Sequence, residues 1–166
     1  MKGPTLSFAA AVLLAAACAS GAPPAGPARG SAPVTFTTLE QRSVPGQTGG
    51  KRREVIRDAA AWKAAWDEIR AGSDLPPEPP AVDFPREMVV LAAMPTQGCV
   101  SRVTIHAITP GAGGVTVDVL EEPPAPNCVC VVSARPFHAV KLRSLAGPAR
   151  FHVERGETPC GHRAPS

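Results

Sequence analysis

Residues 88–108, MVVLAAMPTQGCVSRVTIHAI, decide the fold that this chain can adopt. Residues 88–94 are all apolar, which is typical of a strand that is covered on both faces. After a short connection at residues 95–98, Val103 and Ile105 alternate with polar residues, as in a strand with one solvated face. The stretch therefore predicts a central β-hairpin whose tip is formed by residues 95–98.

The amino terminus has the pattern of a secretory signal. Residues 1–17 contain Lys2 and then an apolar block that is too short to cross a bilayer as a permanent helix. The ending Leu14-Ala-Ala-Ala-Cys18 resembles a bacterial lipobox, in which the cysteine after the cut receives the lipid. We predict an exported protein that is anchored to the cell envelope through Cys18, on a periplasmic or outer face. An ordinary signal peptide that is cut near Ala17 is the alternative.

Composition divides the rest of the chain. Residues 18–33 are small residues with proline and glycine, which cannot bury enough apolar surface to offset their ordering entropy. They are predicted to form a flexible tether behind the lipidated cysteine. We assign residues 34–155 to one folded domain and residues 156–166 to a carboxyl-terminal tail.

The charge balance argues against a nucleic-acid partner. The chain has 17 Lys and Arg against 14 Asp and Glu, and Lys2 is the only charged residue of the signal, so the exported part carries 16 against 14. A nucleic-acid reader is expected to be strongly basic and rich in stacking aromatic residues, whereas this chain has no tyrosine. No second apolar stretch approaches about 18 residues, so the lipid is the only membrane attachment that we expect.

One helix and several strands are predicted around the central hairpin. Asp58 is a good N-cap, and Trp62, Trp66 and Ile69 share one face of a helix that ends near Arg70. We assign both tryptophans to the core, beneath a sheet, rather than to a ligand groove. Further strands are predicted at residues 34–39, 53–56, 115–120, 128–132, 137–142 and 150–153.

These elements indicate an α+β fold. The first two of the further strands are expected to form a second hairpin, and the breaks Arg135-Pro136 and Gly147-Pro148 are expected to separate the last strands. A proline-rich loop at residues 73–80 should lead from the helix to the centre of the sheet. The prediction is a single domain with a mainly antiparallel sheet of about seven short strands and one covering helix.

The cysteine count supports both a lipid anchor and disulfides. Five cysteines are an awkward number in an oxidising compartment, but removing Cys18 leaves Cys99, Cys128, Cys130 and Cys160 for two bridges. Cys128 and Cys130 would point to the same face of a strand, so they are poorly placed to bridge each other. We expect Cys99 to pair with one of them and Cys160 with the other.

The succession of motifs resembles a known family. These motifs are Arg-Glu-Val-Ile-Arg-Asp at residues 53–58 before Trp62 and Trp66, residues 82–90, Pro-Thr-Gln-Gly at 95–98, residues 135–140 and residues 147–151. Over residues 34–153 they look like the C-terminal domain of the protease complex subunit PrcB family. That family commonly has a Pro-Thr-Gly-Gly-Tyr loop, in which Gln97 and Cys99 here stand in place of a glycine and the tyrosine. The resemblance implies an accessory protein, without catalytic residues, that associates with, stabilises or inhibits an exported protease.

No catalytic, metal or cofactor site is predicted. None of the four histidines lies in a recognisable nucleophile motif. Cys128, Cys130, Cys160 and His162 offer zinc ligands, but their spacing is unusual and disulfides are the default in an exported chain. Glu121 and Glu122 would point to opposite faces of a strand, and we interpret them as a solvated strand end rather than a glycosidase pair.

The predicted partner-binding residues are Pro95, Thr96, Gln97 and Gly98. Pro95, Thr96 and Gly98 also match the loop by which chagasin-type inhibitors enter cysteine protease clefts. Strands on both sides and a bridge at Cys99 would hold this loop in place before binding, while a turn that merely connects strands is the alternative. Two functions stay open: a binding module for an exported protease or other envelope protein, and a structural envelope lipoprotein with no protease connection.

The lipid anchor is testable by replacing its attachment point. Cys18→Ser removes the thiol that would carry the lipid, so the protein should move from the membrane fraction to the soluble fraction. Ala19→Ser, one position further along the tether, should stay in the membrane fraction. Fractionation with mass spectrometry of the amino terminus measures both, and a Cys18→Ser protein that remains with the membranes contradicts the prediction.

Overall fold

A computed structural model describes residues 31–46, 48–99 and 101–160 of the chain. The predicted signal, Cys18 and almost all of the predicted tether lie outside the described residues. The described part contains eight strands and one helix: β1 (Thr37–Pro45), β2 (Arg52–Ile56), α1 (Ala59–Arg70), β3 (Glu87–Ala93), β4 (Gln97–Gly98), β5 (Arg102–Gly111), β6 (Gly114–Glu122), β7 (Ser133–Arg143) and β8 (Ala149–Arg155).

The strands form two sheets. The first has the order β1-β7-β3-β2, with β4 pairing β7 beyond the end of β3, and the second has the order β5-β6-β8. All pairs are antiparallel except β6 with β8, which is parallel. The expected α+β domain with a mostly antiparallel sheet and one helix is confirmed, and the strands number eight rather than about seven.

The interior strand β3 separates two hydrophobic cores. Each residue from Met88 to Met94 is at most 3% exposed, so both faces of the strand are covered. Alternate side chains Met88, Val90, Ala92 and Met94 pack towards the second sheet, where they meet residues such as Ile105 and Val117. The intervening Val89, Leu91 and Ala93 pack beneath the helix. The described domain therefore has three layers: α1, the first sheet and the second sheet.

The helix covers the first sheet as its sequence pattern predicts. It begins after Asp58, whose side chain accepts a hydrogen bond from the backbone N–H of Ala61 at 2.8 Å. The left-handed residue Gly72, with a φ of 73°, follows its end. Trp62 and Trp66 are buried in the core, and their indole N–H groups donate to the carbonyls of Pro80 and Pro76. The indole N–H is the only polar group of each tryptophan side chain, and carbonyls of the proline-rich loop accept both of these hydrogen bonds.

The predicted central hairpin is wrong. β3 and β5 belong to different sheets: β3 lies between β2 and β7, and β5 pairs with β6. Both edges of β3 are already occupied, so β5 cannot pair with it. Instead, Val103, Ile105 and Ile108 of β5 pack face to face against the apolar residues of β3.

The predicted hairpin of the first two strands is also wrong. β1 and β2 lie at opposite edges of the first sheet, with β7 and β3 between them. Three strand spacings are about 14 Å, which the six residues 46–51 can span because an extended residue covers about 3.3 Å. A loop of that length is therefore as compatible with a crossing as with a turn.

Two other local predictions fail around the start of β7. Residues 128–132, predicted as a strand, have an irregular backbone. Arg135 and Pro136, predicted as a break, lie inside β7. Pro136 is tolerated in an interior strand because its neighbour changes there: β7 pairs with β3 from Phe137 onwards and with β4 at Ala134.

A buried histidine joins the two sheets. β5 is an edge strand, and the N–H of Ile105 donates to Nδ1 of His138 on β7 at 2.9 Å. Nε2 of the same ring lies 3.0 Å from Thr38 Oγ1, so the neutral ring accepts through Nδ1 and donates through Nε2. The carbonyl of Val103 accepts from Gln41 Nε2, and that of Ile108 from the N–H of Val34. These contacts satisfy part of an edge that would otherwise be open to another strand.

We predict that this joint is sensitive to acid. Burial lowers the pKa of His138 from 6.5 to about 4. Between those values the unfolded chain binds a proton that the folded chain does not, so the free energy of unfolding falls as the pH falls, by about 3 kcal/mol over the whole window. Denaturant unfolding between pH 6.5 and 5 measures the slope before most carboxylates titrate.

Two variants identify the source of that slope. His138→Asn keeps an acceptor for Ile105 but does not titrate, so its stability should be lower and less dependent on pH. His106→Asn changes an exposed histidine and should keep the slope of the unmodified protein. Equal slopes for the unmodified protein and His138→Asn would assign the acid sensitivity to other groups.

Candidate functional site

Two disulfides lie at one end of the described domain. Cys99 pairs with Cys130 and Cys128 pairs with Cys160, with Cα atoms 5.0 Å and 5.3 Å apart. This is one of the two pairings that the sequence left open. The prediction rested on a strand at residues 128–132, which is not present, but the conclusion that neighbouring cysteines reach different partners agrees with the structure. We call this part of the molecule, residues 95–99, 123–132 and 156–160, the disulfide-bonded end.

The predicted partner loop lies here, but it is not a hairpin tip. Residues 95–98 lead from β3 in the first sheet towards β5 in the second, and Gln97 and Gly98 pair with Ala134 and Ser133 of β7. Thr96 is half-buried: its N–H donates to the carbonyl of Gly49, and its hydroxyl accepts from the N–H of Gly49. Of the four predicted residues, Gly98 alone is exposed. Much of the loop thus has a structural role.

Three exposed valines stand next to this loop. Val129, Val131 and Val132 are 97%, 100% and 54% exposed, and they are the large hydrophobic residues exposed in the described part of the chain. Sequence reasoning missed them because the run Cys-Val-Cys-Val-Val has the composition of a buried strand. The alternation of cysteine and valine nevertheless indicates that the valines are exposed. If the cysteines at 128 and 130 bond to the body of the protein, the side chains between and beyond them face away from it.

Residues 156–160 continue from β8 into the same end. The N–H groups of Gly156 and Thr158 donate to the carbonyls of Glu121 and Pro123, and Thr158 accepts from the N–H of Ala125. Cys160 then closes its bridge to Cys128. The part of the predicted tail that the structure describes is therefore bound to the domain.

A buried arginine supports the segment that crosses beneath this end. Arg135 is 1% exposed, and its guanidinium donates to Glu68 Oε1 on the helix and to the carbonyl of Gly50, both at 2.9 Å. Gly49 lies against the same group, since a Cβ there would be 2.5 Å from Arg135 Nη1. Gly49 and Gly50, which lie between β1 and β2, thus pass over a buried charge at the start of β7.

A second ion pair lies between the sheets at the same end. Glu121 is buried and its carboxylate pairs with the guanidinium of Arg53, which is about one-fifth exposed. The interpretation of Glu121 as part of a solvated strand end is wrong, because β6 turns this side chain inwards. A groove of about 210 Å³ opens beside it and is lined in part by Pro95, Gln97 and Lys51. The carboxylate in that groove is already paired, which does not favour acid–base chemistry.

Two of the described histidines have identified partners. Both ring nitrogens of His138 are used in the joint between the sheets, and the Nδ1 atom of the exposed His152 lies 3.3 Å from Asp118. No cluster of three or more potential metal-binding side chains occurs within residues 31–46, 48–99 and 101–160. The three cysteines of the alternative zinc set are in disulfides, and His162 lies outside the described residues.

Comparisons with known proteins add no relative: no family model matches the chain, and no curated protein and no solved structure matches it. The resemblance to the PrcB family therefore stays a prediction. Of the described helices, none is sufficiently long and apolar to cross a membrane.

The crossing segment predicts a contrast between two adjacent glycines. Gly49→Ala puts a methyl group into the guanidinium of Arg135, which cannot retreat without breaking buried hydrogen bonds, so we expect a loss of about 1–3 kcal/mol in the free energy of unfolding. Gly50→Ala meets nothing within 4 Å and keeps the carbonyl that Arg135 uses, so its effect should be within about 0.5 kcal/mol. Thermal and denaturant unfolding of both variants measures the difference. Equal stabilities of the two variants would mean that the Arg135 guanidinium moves aside without a loss in the free energy of unfolding.

Proposed function

We propose that the protein is a non-enzymatic binding module, exported and tethered to the cell envelope through a lipid on Cys18, that contacts an exported partner protein through its disulfide-bonded end. The observation that carries the proposal is the exposure of Val129, Val131 and Val132 beside two disulfides. The predicted loop of residues 95–98 adjoins them, so both belong to one candidate surface.

The energetics favour a contact surface over a structural role. Full burial of a valine is worth about 1.5–3 kcal/mol, and these side chains make little use of that gain in the described domain. Exposed apolar side chains that are grouped together commonly mark interaction sites. The bridges at Cys128 and Cys130 restrain the segment before binding, so less conformational entropy is lost when a partner covers it.

The assignment of a protease as partner rests on the resemblance to the PrcB family. Such a partner would be associated with, stabilised by or inhibited by this module. The alternative function is a structural envelope lipoprotein with no protease connection. Under that alternative, the valines are not required for the capture of a protease.

Partner capture with matched charge variants tests the proposal. Val131→Asp adds a carboxylate at the centre of the candidate surface, and Ala112→Asp adds one in the exposed turn between β5 and β6, far along β5 from the disulfide-bonded end. Both sites are exposed, so both variants should unfold within about 0.5 kcal/mol of the unmodified protein. The Val131→Asp variant should lose a partner from cell-envelope extracts that the Ala112→Asp variant retains.

The identity of the captured protein separates the two functions. A protease that is retained by Ala112→Asp and lost with Val131→Asp supports the protease-associated module. Equal capture by both variants would place the contact elsewhere on the molecule. Capture of envelope proteins without a protease would favour the structural lipoprotein.

A further inference from the structure

Disulfide-bonded and exposed side chains alternate along residues 128–131. Cys128 and Cys130 are bonded to the body of the protein, while Val129 and Val131 between and beyond them are almost fully exposed. The backbone is irregular at residues 128–130 and bends at Val131, so this fully exposed residue lies where the chain changes direction. The segment therefore presents small aliphatic side chains on a restrained and accessible loop.

The peptide bond between Val131 and Val132 is held on both sides. On its amino side, Cys130 is bridged to Cys99. On its carboxyl side, the carbonyl of Val132 accepts from the N–H of the same Cys99 at 3.1 Å, and Ser133 is paired with Gly98 in the sheet. A break in this bond would leave both new ends attached to one residue, Cys99, through a covalent bridge and a backbone hydrogen bond.

We infer that residues 128–133 form a substrate-like loop that blocks the active site of an exported serine peptidase, with Val131 in the pocket that selects the side chain before the scissile bond. The inference rests on the proposed function and names the class of partner, a peptidase that accepts small aliphatic side chains. The pocket of such an enzyme is shallow, in contrast to the charged pocket of a trypsin-like enzyme.

The chemistry explains why the loop inhibits rather than serves as an ordinary substrate. The serine Oγ of the peptidase attacks the carbonyl carbon of Val131, an ester forms, and the C–N bond to Val132 breaks. The serine proton passes through the histidine of the peptidase to the nitrogen of Val132, which becomes an amine. In a free peptide that amine diffuses away and water cleaves the ester.

Here the amine stays beside the ester. The hydrogen bond to Cys99 and the strand pairing of Ser133 hold Val132, and the bridge to Cys130 holds the acyl side. The amine therefore attacks the ester carbon again, the peptide bond reforms and the proton returns to the serine oxygen. Its high effective concentration favours this reversal over hydrolysis.

The test replaces the residue that would enter the specificity pocket of the peptidase. The full mature chain with both disulfides formed is assayed against pancreatic elastase, which accepts small aliphatic side chains, and against trypsin. The unmodified protein should inhibit elastase and not trypsin. Val131→Arg should weaken elastase inhibition by about 100-fold or more and create trypsin inhibition. Because Val131 is fully exposed, the melting temperature of this variant should be unchanged.

Val129→Arg is the positional control, since Val129 is nearly as exposed and lies two residues earlier. It should keep elastase inhibition within about tenfold of the unmodified protein and create no trypsin inhibition. Three results would each overturn the inference. The unmodified protein does not inhibit elastase, or it is rapidly cleaved at residues 131–132 and loses inhibition, or Val129→Arg rather than Val131→Arg changes inhibition from elastase to trypsin.

Partner capture distinguishes this inference from the proposed function. A partner that is lost with Val131→Asp, in a protein that inhibits neither enzyme, would keep the binding module and overturn the substrate-like loop. Capture that does not depend on Val131, in a protein that still inhibits elastase through Val131, would keep the loop and overturn the proposed use of this surface in the envelope.

Discussion

The fold depends on one strand that is buried on both faces. Residues 88–94 expose almost no surface, so two separate layers must cover them. The helix, through its two tryptophans, covers one face and the second sheet covers the other. Because β2 and β7 occupy the two edges of β3, β5 cannot pair with it and lies in the second sheet. The two-sheet architecture follows from this requirement.

Buried polar side chains then determine how the layers are joined. His138 accepts a hydrogen bond from a backbone N–H of an edge strand of the second sheet. Arg135 donates one to the carbonyl of Gly50, between β1 and β2. Each lies on β7, next to β3, but they point to opposite faces of the sheet. A buried donor or acceptor without a partner costs about 1–3 kcal/mol, so both residues favour one arrangement of the layers over others. His138, which was predicted to be an ordinary strand residue, and Arg135, which was predicted to lie in a break between strands, thus join the layers of the fold.

The disulfide-bonded end is built differently from the rest of the domain. Its segments at residues 123–132 and 156–160 have irregular backbone and few buried apolar side chains, and two bridges tie them to each other and to Cys99. Covalent restraint can replace a hydrophobic core in ordering such segments. It also leaves apolar side chains free to face outwards, since they are not needed inside. The same bridges that order this end therefore make the valines available to a partner.

The sequence by itself determined the local elements and the chemistry of single segments. The N-cap at Asp58, the shared face of Trp62 and Trp66 and the double burial of β3 follow from periodicities that neighbouring residues impose. Pairing of strands could not be determined in this way, because the loop between β1 and β2 suits a crossing as well as a turn. The exposure of the valines, the burial of Glu121 and the interior position of Pro136 each depend on residues distant in the chain. Only the tertiary structure decided them, since burial and strand pairing depend on which partners occupy the limited edges and faces of a sheet.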